Sequence, residues 1–271
     1  MRKARFSIRR TIARFSTGSR ILGMGLCMAL VIAGSPLALG VAHARVDVEP
    51  GKPNEILPFL SLETATGVVF EDLNRNGTQD GGEPGVRDVS VSNGRDVVRT
   101  DDEGRYSLSV DHRTIIFITK PADYMVPVND VQLPQFYYVH YPFGSVIPTQ
   151  YPGIQPTGTL PESVDFPIYR TKEKKKFEAL VFADPQTVSD EQLDDFEEDV
   201  VAELIGDKSE LGITVGDVVN DTLSLYPRHN QIVSTIGIPW WNLPGNHDLN
   251  YDVPSDDFST ETYKSVFGPT D

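Results

Sequence analysis

Three short polar clusters each follow a run of apolar residues in the C-terminal part of the chain. They read DPQ at 184–186, GDVVND at 216–221 and GNHD at 245–248. A single Asp in such a place is typical of a turn or a helix cap. Three clusters behind three consecutive apolar runs instead indicate side chains that share one site. Carboxylate and amide oxygens favour hard or intermediate divalent cations, so the pattern predicts a metal site.

The elements that must position these clusters form an alternating series. Three apolar runs predict buried strands, at 177–183, 211–215 and 238–243. Two helices are predicted between them, at about 189–204 and 227–236. The first helix opens with a capping box, in which Ser189 precedes Gln192 by three residues. This alternation predicts an α/β domain, and Asp184, Asp217 and Asn246 would meet beyond the carboxyl ends of its strands if the strands are neighbours.

The motifs GDVVND and GNHD, with DPQ upstream, resemble the first three motifs of the calcineurin-like metallophosphoesterase superfamily. The resemblance covers roughly residues 177–271 and implies an α-β-β-α sandwich with a two-metal site. It implies two divalent ions (Mn, Mg, Fe or Zn) and a substrate that is a phosphate monoester or diester.

The same resemblance implies a role for each polar residue. Asp184 would bind the first metal, Asp217 would bridge both, and Asn246 would bind the second through its amide oxygen. Gln186 stands where the family usually has the His of an Asp-x-His motif. Its amide oxygen is a weaker and harder ligand than an imidazole, which favours Mn²⁺, Mg²⁺ or Fe over Zn²⁺.

Two residues of the third cluster are implied to be catalytic. His247 would lie at the phosphate, where it stabilises charge or protonates the leaving oxygen, and Asp248 would orient it. Asp221 is expected to be structural or to lie behind the ligands. The family's later histidine ligands, including a Gly-His-x-His motif, do not occur in the sequence. We therefore expect an incomplete, C-terminally truncated domain over 177–271, without appreciable activity.

The part before this domain carries short strands separated by turn residues. Alternating or β-branched segments recur between residues 66 and 119, and Asn93-Gly94 is a strong hairpin turn. This spacing predicts an all-β sandwich over 66–170, preceded by a leader at 45–65 and followed by a charged linker at 171–176. The segment 69–108 resembles the B-type repeats of bacterial surface adhesins and the small β-sandwich found before some exported phosphoesterases, so an immunoglobulin-like or B-repeat-like sandwich is expected.

A twelve-residue loop at 72–83 has the ligand spacing of a calcium-binding loop. Oxygen-bearing side chains occupy its positions 1, 3, 5, 9 and 12, and Gly77 occupies position 6. These residues are Asp72, Asn74, Asn76, Asp80 and Glu83. The loop is expected to bind Ca²⁺, and the alternative is a solvated turn without metal.

The N-terminus predicts export. A basic region runs to Arg20, an apolar stretch follows at 21–41, and Ala-His-Ala at 42–44 supplies a cleavage signal. Residues 1–44 are thus expected to be a signal peptide, which places the protein in the periplasm, the cell envelope or outside the cell. The alternative is a transmembrane anchor, but Gly and Pro interrupt the stretch. No stable membrane anchor is expected after cleavage.

The net charge of the protein limits which molecules it can bind. The net charge is −15, and because residues 1–44 hold seven basic residues and no acid, the remainder carries −22. Such a surface repels nucleic acid and suits metal cations, so no nucleic-acid binding is expected. Two functions remain in view. The first is an exported metal-dependent phosphoesterase, and the second is a Ca²⁺-stabilised surface adhesion module with a degenerate phosphoesterase remnant.

Overall fold

The computed structural model of the chain describes residues 13–16 and 62–270. The predicted cleavage signal at 42–44 and residues 45–61 of the predicted leader lie outside the described residues. Residues 63–65 of that leader already belong to a strand. Within the described residues, no helix has the length and apolar character that a membrane crossing requires.

Twelve strands are numbered in chain order. They are β1 Ala13–Ser16, β2 Glu63–Glu71, β3 Ser90–Ser92, β4 Val97–Arg99, β5 Arg105–Val110, β6 Thr114–Ile118, β7 Tyr124–Met125, β8 Tyr137–His140, β9 Phe166–Arg170, β10 Lys176–Phe182, β11 Leu211–Val215 and β12 Trp240–Leu243. The α-helices are α1 Asp190–Phe196, α2 Tyr226–Ser234 and α3 Glu261–Phe267. Short 3-10 turns lie at Leu223–Leu225, Asn246–Asp248 and Asp256–Phe258.

Two four-stranded sheets make up the β region before residue 171, in the orders β5-β2-β9-β7 and β4-β3-β6-β8. Strand β5 shows why they pack together: Tyr106, Leu108 and Val110 are buried, while the residues between them are exposed. Side chains of both sheets form one apolar cluster, which includes Val69 and Ile116. The predicted all-β architecture is therefore present, with β2 and β9 paired in parallel. The immunoglobulin-like assignment remains a prediction.

A third sheet has the order β1-β10-β11-β12. The pairs β10-β11 and β11-β12 are parallel, and α1 and α2 form the crossovers between them. The three predicted strands and the second predicted helix are thus confirmed, apart from shifts of one or two residues at their ends. The first predicted helix, at about 189–204, is α-helical only over Asp190–Phe196. Strand β1 was not predicted; it pairs antiparallel with β10 and lies in the expected signal peptide.

The first crossover helix begins where the capping box indicated. The Ser189 side chain accepts a hydrogen bond from the backbone N–H of Gln192 at 3.3 Å. Beyond Phe196 the helix continues as a π-helical turn at Glu197–Val201 and a 3-10 turn at Ala202–Leu204. A change of pitch of this kind rotates the buried side chains relative to an α-helix.

The helices bury their apolar faces against one side of this sheet. The core includes Phe182, Phe196 and Trp240, and the Phe182 and Trp240 rings lie 4.6 Å apart. His229 of α2 is buried there and stacks on Phe196. Burial lowers the pKa of His229 to about 4, so its imidazole is neutral near pH 7.

The opposite side of the sheet is apolar but only half covered. One row across the strands consists of Val181, Ile213 and Trp241, which are partly exposed. At the carboxyl ends of the strands, Val215 is 44% exposed and Leu243 is 47% exposed. Exposed faces of this kind favour association between molecules.

Contacts between the β region and the third sheet extend well beyond the predicted linker. Leu133 is buried in the core under the third sheet, and the Trp240 N–H donates to the carbonyl of Gln132 at 2.9 Å. Arg113 pairs with Glu261 of α3 at 2.7 Å, and the Glu261 side chain is only 2% exposed. These contacts join the two parts of the chain through their side chains as well as through the backbone.

Candidate metal and phosphate site

The three polar clusters meet at one edge of the third sheet. Strands β10, β11 and β12 run parallel and end in the DPQ, GDVVND and GNHD clusters, so all three clusters lie beyond the same edge. A further parallel bridge pairs Thr187 with Val219, which keeps the first two clusters side by side. This convergence is the one that the alternation of strands and helices predicted.

The backbone of these clusters is unusual. Asp184, Gln186, Asp217 and Asp221 have φ values of 50°, 45°, 48° and 57°. They are half of the eight non-glycine residues with positive φ in the described part of the chain. Residues held in this region concentrate at functional sites, because the surrounding structure must enforce the conformation.

Asp217 is the central carboxylate of the site. It is 6% exposed and accepts one hydrogen bond on each oxygen, from the His247 N–H at 2.9 Å and from the Gln186 side-chain amide at 2.6 Å. The backbone N–H of Gln186 also donates to the Asp217 carbonyl at 3.0 Å. Asp217 therefore connects the first cluster with the third. Gly245 permits this approach, because a Cβ there would lie 2.1 Å from Asp217 Oδ1.

The His247 side chain pairs with Asp221. His247 Nδ1 lies 2.9 Å from Asp221 Oδ1, and the Asp221 N–H donates to the His247 carbonyl at 3.1 Å. An ionised carboxylate can only accept, so Nδ1 carries the proton and Nε2 is left for another partner. The hydrogen bond to Asp221 raises the pKa of His247, which favours the imidazolium form.

Asp248 does not orient His247, which corrects the expectation from sequence. Its buried carboxylate accepts hydrogen bonds from the Gly245 N–H at 2.8 Å, the Val218 N–H at 3.1 Å and the Tyr226 hydroxyl at 2.9 Å. Burial raises the pKa of Asp248. Asp248 therefore fastens the third cluster to the second, and Asp221 faces the imidazole instead.

The remaining predicted ligands lie at the open side of the site. Asp184 and Asn246 are exposed, and the Tyr251 hydroxyl donates to the Asn246 carbonyl. In the described part of the chain, no group of three or more His, Cys, Asp or Glu side chains is placed to hold a metal ion. The oxygen donors of Asp184, Asp217, Gln186 and Asn246 fit the ligand chemistry of a hard divalent cation, and a two-metal centre remains a prediction.

The predicted calcium loop is closed by its own backbone. Asp72 is 3% exposed and accepts from the Arg75 N–H at 2.5 Å and the Gly77 N–H at 2.8 Å. Glu83 accepts from the Leu73 N–H and the Asp80 N–H. The Asn74 and Asn76 amides both donate to Asp80, and these bonds lower the pKa of Asp80. The five residues thus lie around one loop, and Ca²⁺ binding remains a prediction.

Sequence reasoning did not assign three contacts of the site. Asp221 follows Asp217 by four residues in the same turn, a spacing that could have indicated the pairing with His247. No sequence pattern indicates the contacts of Tyr226 and Tyr151, because these residues are distant in sequence from the groups that they bind. The Tyr226 hydroxyl reaches the site from a helix, and the Tyr151 hydroxyl reaches it from the β region.

Comparison with known families concerns the β region. Residues 73–149 match the family described as the N-terminal part of calcineurin-like phosphoesterases. The match confirms the resemblance to the calcineurin-like metallophosphoesterase superfamily that the motifs after residue 183 indicated. The match supports a phosphoesterase lineage.

Among solved structures, the chain is similar to a purple acid phosphatase, PPD1, isolated from yellow lupin (Lupinus luteus) seeds. The identity is 9%, the TM-score is 0.23, and the alignment covers 66% of this chain and 34% of the lupin chain. A TM-score of this size carries no argument about fold or activity. None of the curated proteins matches the chain.

Proposed function

We propose that the chain is an exported metal-dependent phosphoesterase, with its reacting centre beyond strands β10, β11 and β12. One observation supports this most directly. His247 is fixed at two points by carboxylates of the neighbouring strand end: its N–H by Asp217 and its Nδ1 by Asp221. The half-exposed imidazole of His247 is not part of the apolar core, so core packing does not account for these two hydrogen bonds.

The chemistry proposed for His247 follows from its protonation state. The hydrogen bond to Asp221 raises the pKa of His247 and so favours the imidazolium form, which can act as a proton donor. In the proposed reaction Nε2 faces a phosphate oxygen, neutralises charge in the transition state and gives its proton to the leaving oxygen. Asp221 keeps the imidazole in the tautomer and orientation that this step needs.

Asp184, Asp217, Gln186 and Asn246 are proposed to hold the metal. A divalent cation, when bound, polarises the phosphoryl group and activates a water molecule. The four residues offer two carboxylates and two amides, which is a weak set for a catalytic site. We therefore propose that the chain of 271 residues binds Mn²⁺ weakly and turns over phosphoesters slowly or not at all.

Metal binding and hydrolysis are tested on the full chain with three variants. Mn²⁺ binding is followed by calorimetry, and turnover is followed with p-nitrophenyl phosphate and bis-p-nitrophenyl phosphate. Asp217→Asn is expected to weaken Mn²⁺ binding at least roughly tenfold. His247→Ala should leave Mn²⁺ binding intact and reduce any turnover by about 100-fold.

The matched control is Asp199→Asn, which removes one negative charge from an exposed position of the π-helical turn. It should change neither quantity. Equal and mild effects of Asp217→Asn and His247→Ala would contradict the assignment of roles. Fast turnover that depends on Asp217 would instead show that the donor set is more complete than we propose.

Export is the second part of the proposal. It depends on the basic region, the apolar stretch and the Ala-His-Ala signal at 42–44, and it predicts a mature N-terminus at or near Arg45. N-terminal sequencing of protein recovered from outside the cytoplasm tests it. Recovered protein that still begins at Met1 would show that the segment is not removed.

A further inference from the structure

The loop at 144–154 of the β region reaches across to the third sheet. It is a folded unit, because the Ser145 N–H donates to the Ile154 carbonyl at 2.8 Å and the Ile154 N–H donates to the Ser145 hydroxyl at 2.8 Å. The Ser145 hydroxyl in turn contacts Glu261 of α3. The loop is therefore attached firmly to the C-terminal part of the chain.

Tyr151 lies near the tip of this loop and is held on both sides. Its carbonyl accepts from the Thr262 hydroxyl at 3.2 Å, and its half-buried ring packs against the core under the third sheet. The adjoining N–H of Gln150 donates to the Asp252 carboxylate at 2.7 Å. These contacts fix the direction in which the phenol points.

The phenol points at the second polar cluster. The Tyr151 hydroxyl donates to the carbonyl of Asp221 at 2.9 Å. Asp221 has a φ of 57°, and its N–H and its carboxylate both bind His247. Of these three hydrogen bonds on Asp221, only the one to the carbonyl comes from outside the polar clusters. Without the hydrogen bond from Tyr151, the β region no longer fixes the orientation of the peptide group that follows Asp221. The αL conformation of Asp221 is then less stable relative to other backbone conformations.

We propose that Tyr151 is a positioning residue of the site, whose hydroxyl holds Asp221 in the conformation that presents its carboxylate to His247. The β region would then contribute directly to the geometry of the reacting centre. The inference depends on the proposed function for its catalytic meaning, but the contact itself can be tested without any turnover.

The test is native-state hydrogen exchange of the full chain, followed residue by residue by NMR, with Tyr151→Phe as the variant. Phenylalanine keeps the ring and its packing and removes only the hydroxyl. Loss of one hydrogen bond should speed exchange of the Asp221 and His247 amides by roughly five- to tenfold. Amides of β11 and α2, which report the opening of the whole core, should change little.

Tyr138→Phe is the matched control, because Tyr138 is a half-buried tyrosine of β8 that packs against the core of the β region. It should leave the Asp221 and His247 amides unchanged. If Tyr151 contributes only to overall stability, Tyr151→Phe should speed amide exchange equally at the site and in the core. This result would overturn the proposal. Unchanged exchange at Asp221 would overturn it as well.

This experiment separates the two proposals. If local exchange responds to Tyr151→Phe while Asp217→Asn leaves Mn²⁺ binding unchanged, the positioning contact stands and the proposed function fails. If turnover depends on His247 and Asp217 while exchange at Asp221 ignores Tyr151, the proposed function stands and the positioning role fails.

Discussion

At the scale of single residues, the candidate site is built by backbone conformation as much as by side-chain type. Asp184, Gln186, Asp217 and Asp221 all adopt positive φ, which is uncommon for residues other than glycine. Such conformations cost on the order of 1–3 kcal/mol each, so they persist only where neighbouring contacts hold them. For Asp217 and Asp221 those contacts come from the N–H of His247 and the hydroxyl of Tyr151.

Gly245 offers a direct test of this close packing. In Gly245→Ala, the new methyl group would overlap Asp217, whose Oδ1 lies 2.1 Å from the Cβ position. We expect a loss of about 1–3 kcal/mol in the free energy of unfolding, measured in urea, and weaker Mn²⁺ binding. Gly81→Ala is the control, since a Cβ at Gly81 meets nothing within 4 Å.

A second prediction at the residue scale concerns the stability of the fold at acidic pH. Burial lowers the pKa of His229 from 6.5 to about 4, so the unfolded chain binds a proton in this window and the native state does not. Stability contributed by the neutral imidazole is therefore complete above 6.5 and is lost as pH falls toward 4. At about pH 5 the loss should reach roughly 2 kcal/mol relative to pH 7, measured by urea unfolding.

His229→Phe should remove most of this pH dependence, because phenylalanine fills the site without a titratable group. Phe196→Leu is the comparison, since it removes the stacking partner of His229 and should lower stability by a similar amount at both pH values. A pH dependence that survives in His229→Phe would assign the acid sensitivity to another group.

Sequence alone identified most of the polar residues of the site but not their pairing. The positions of Asp184, Asp217, Asn246 and His247 follow from where the strands end. Which carboxylate faces the imidazole does not follow, because it depends on the direction in which the Asp221 and Asp248 side chains point. That direction depends on the αL conformation of Asp221 and on buried donors such as the Tyr226 hydroxyl, which no local pattern encodes.

At the scale of elements, regular strands and helices were predictable and irregular ones were not. The runs that became β10, β11 and β12 are mostly apolar, as is typical of parallel strands. The π-helical turn at Glu197–Val201 keeps Val201 buried, so its apolar spacing resembles that of an ordinary helix. Strand β1 is short and lies in a basic segment, and neither feature indicates a strand.

The loop at 72–83 supports a prediction about calcium. If the spacing of its oxygens reflects a Ca²⁺ site, Ca²⁺ should raise the melting temperature of the full chain and a chelator should lower it. Asp80→Asn should reduce the response, whereas Asp88→Asn, an exposed change outside the loop, should not. Identical melting curves with Ca²⁺ and with chelator would show that the backbone hydrogen bonds to Asp72 and Glu83 suffice.

At the scale of the whole molecule, the β region and the third sheet are connected through buried side chains. The pair Arg113–Glu261 is the clearest example, with Arg113 also stacked over the Phe258 ring at 4.3 Å. Strand patterns predicted two separate domains with a short linker. They could not predict this contact, because residues so distant in sequence leave no shared periodicity.

Removing this pair tests whether the two parts unfold together. Arg113→Ala leaves the Glu261 carboxylate buried without its cation, which should cost about 3 kcal/mol in a single unfolding transition. Arg105→Ala removes an exposed pair with Glu103 and should cost less than about 1 kcal/mol. Two separate transitions after Arg113→Ala would show that the parts are stable independently.

The contact between Tyr151 and Asp221 also depends on the order in which the chain is synthesised. A chain is synthesised from its N-terminus, and N-terminal parts generally fold first. The 144–154 loop leaves the ribosome about seventy residues ahead of Asp221. The residues that fix the direction of the Tyr151 phenol, Asp252, Glu261 and Thr262, emerge only after Asp221. In this order the contact between Tyr151 and Asp221 forms late, after the segment that follows the third polar cluster has been made, and it completes the assembly of the site.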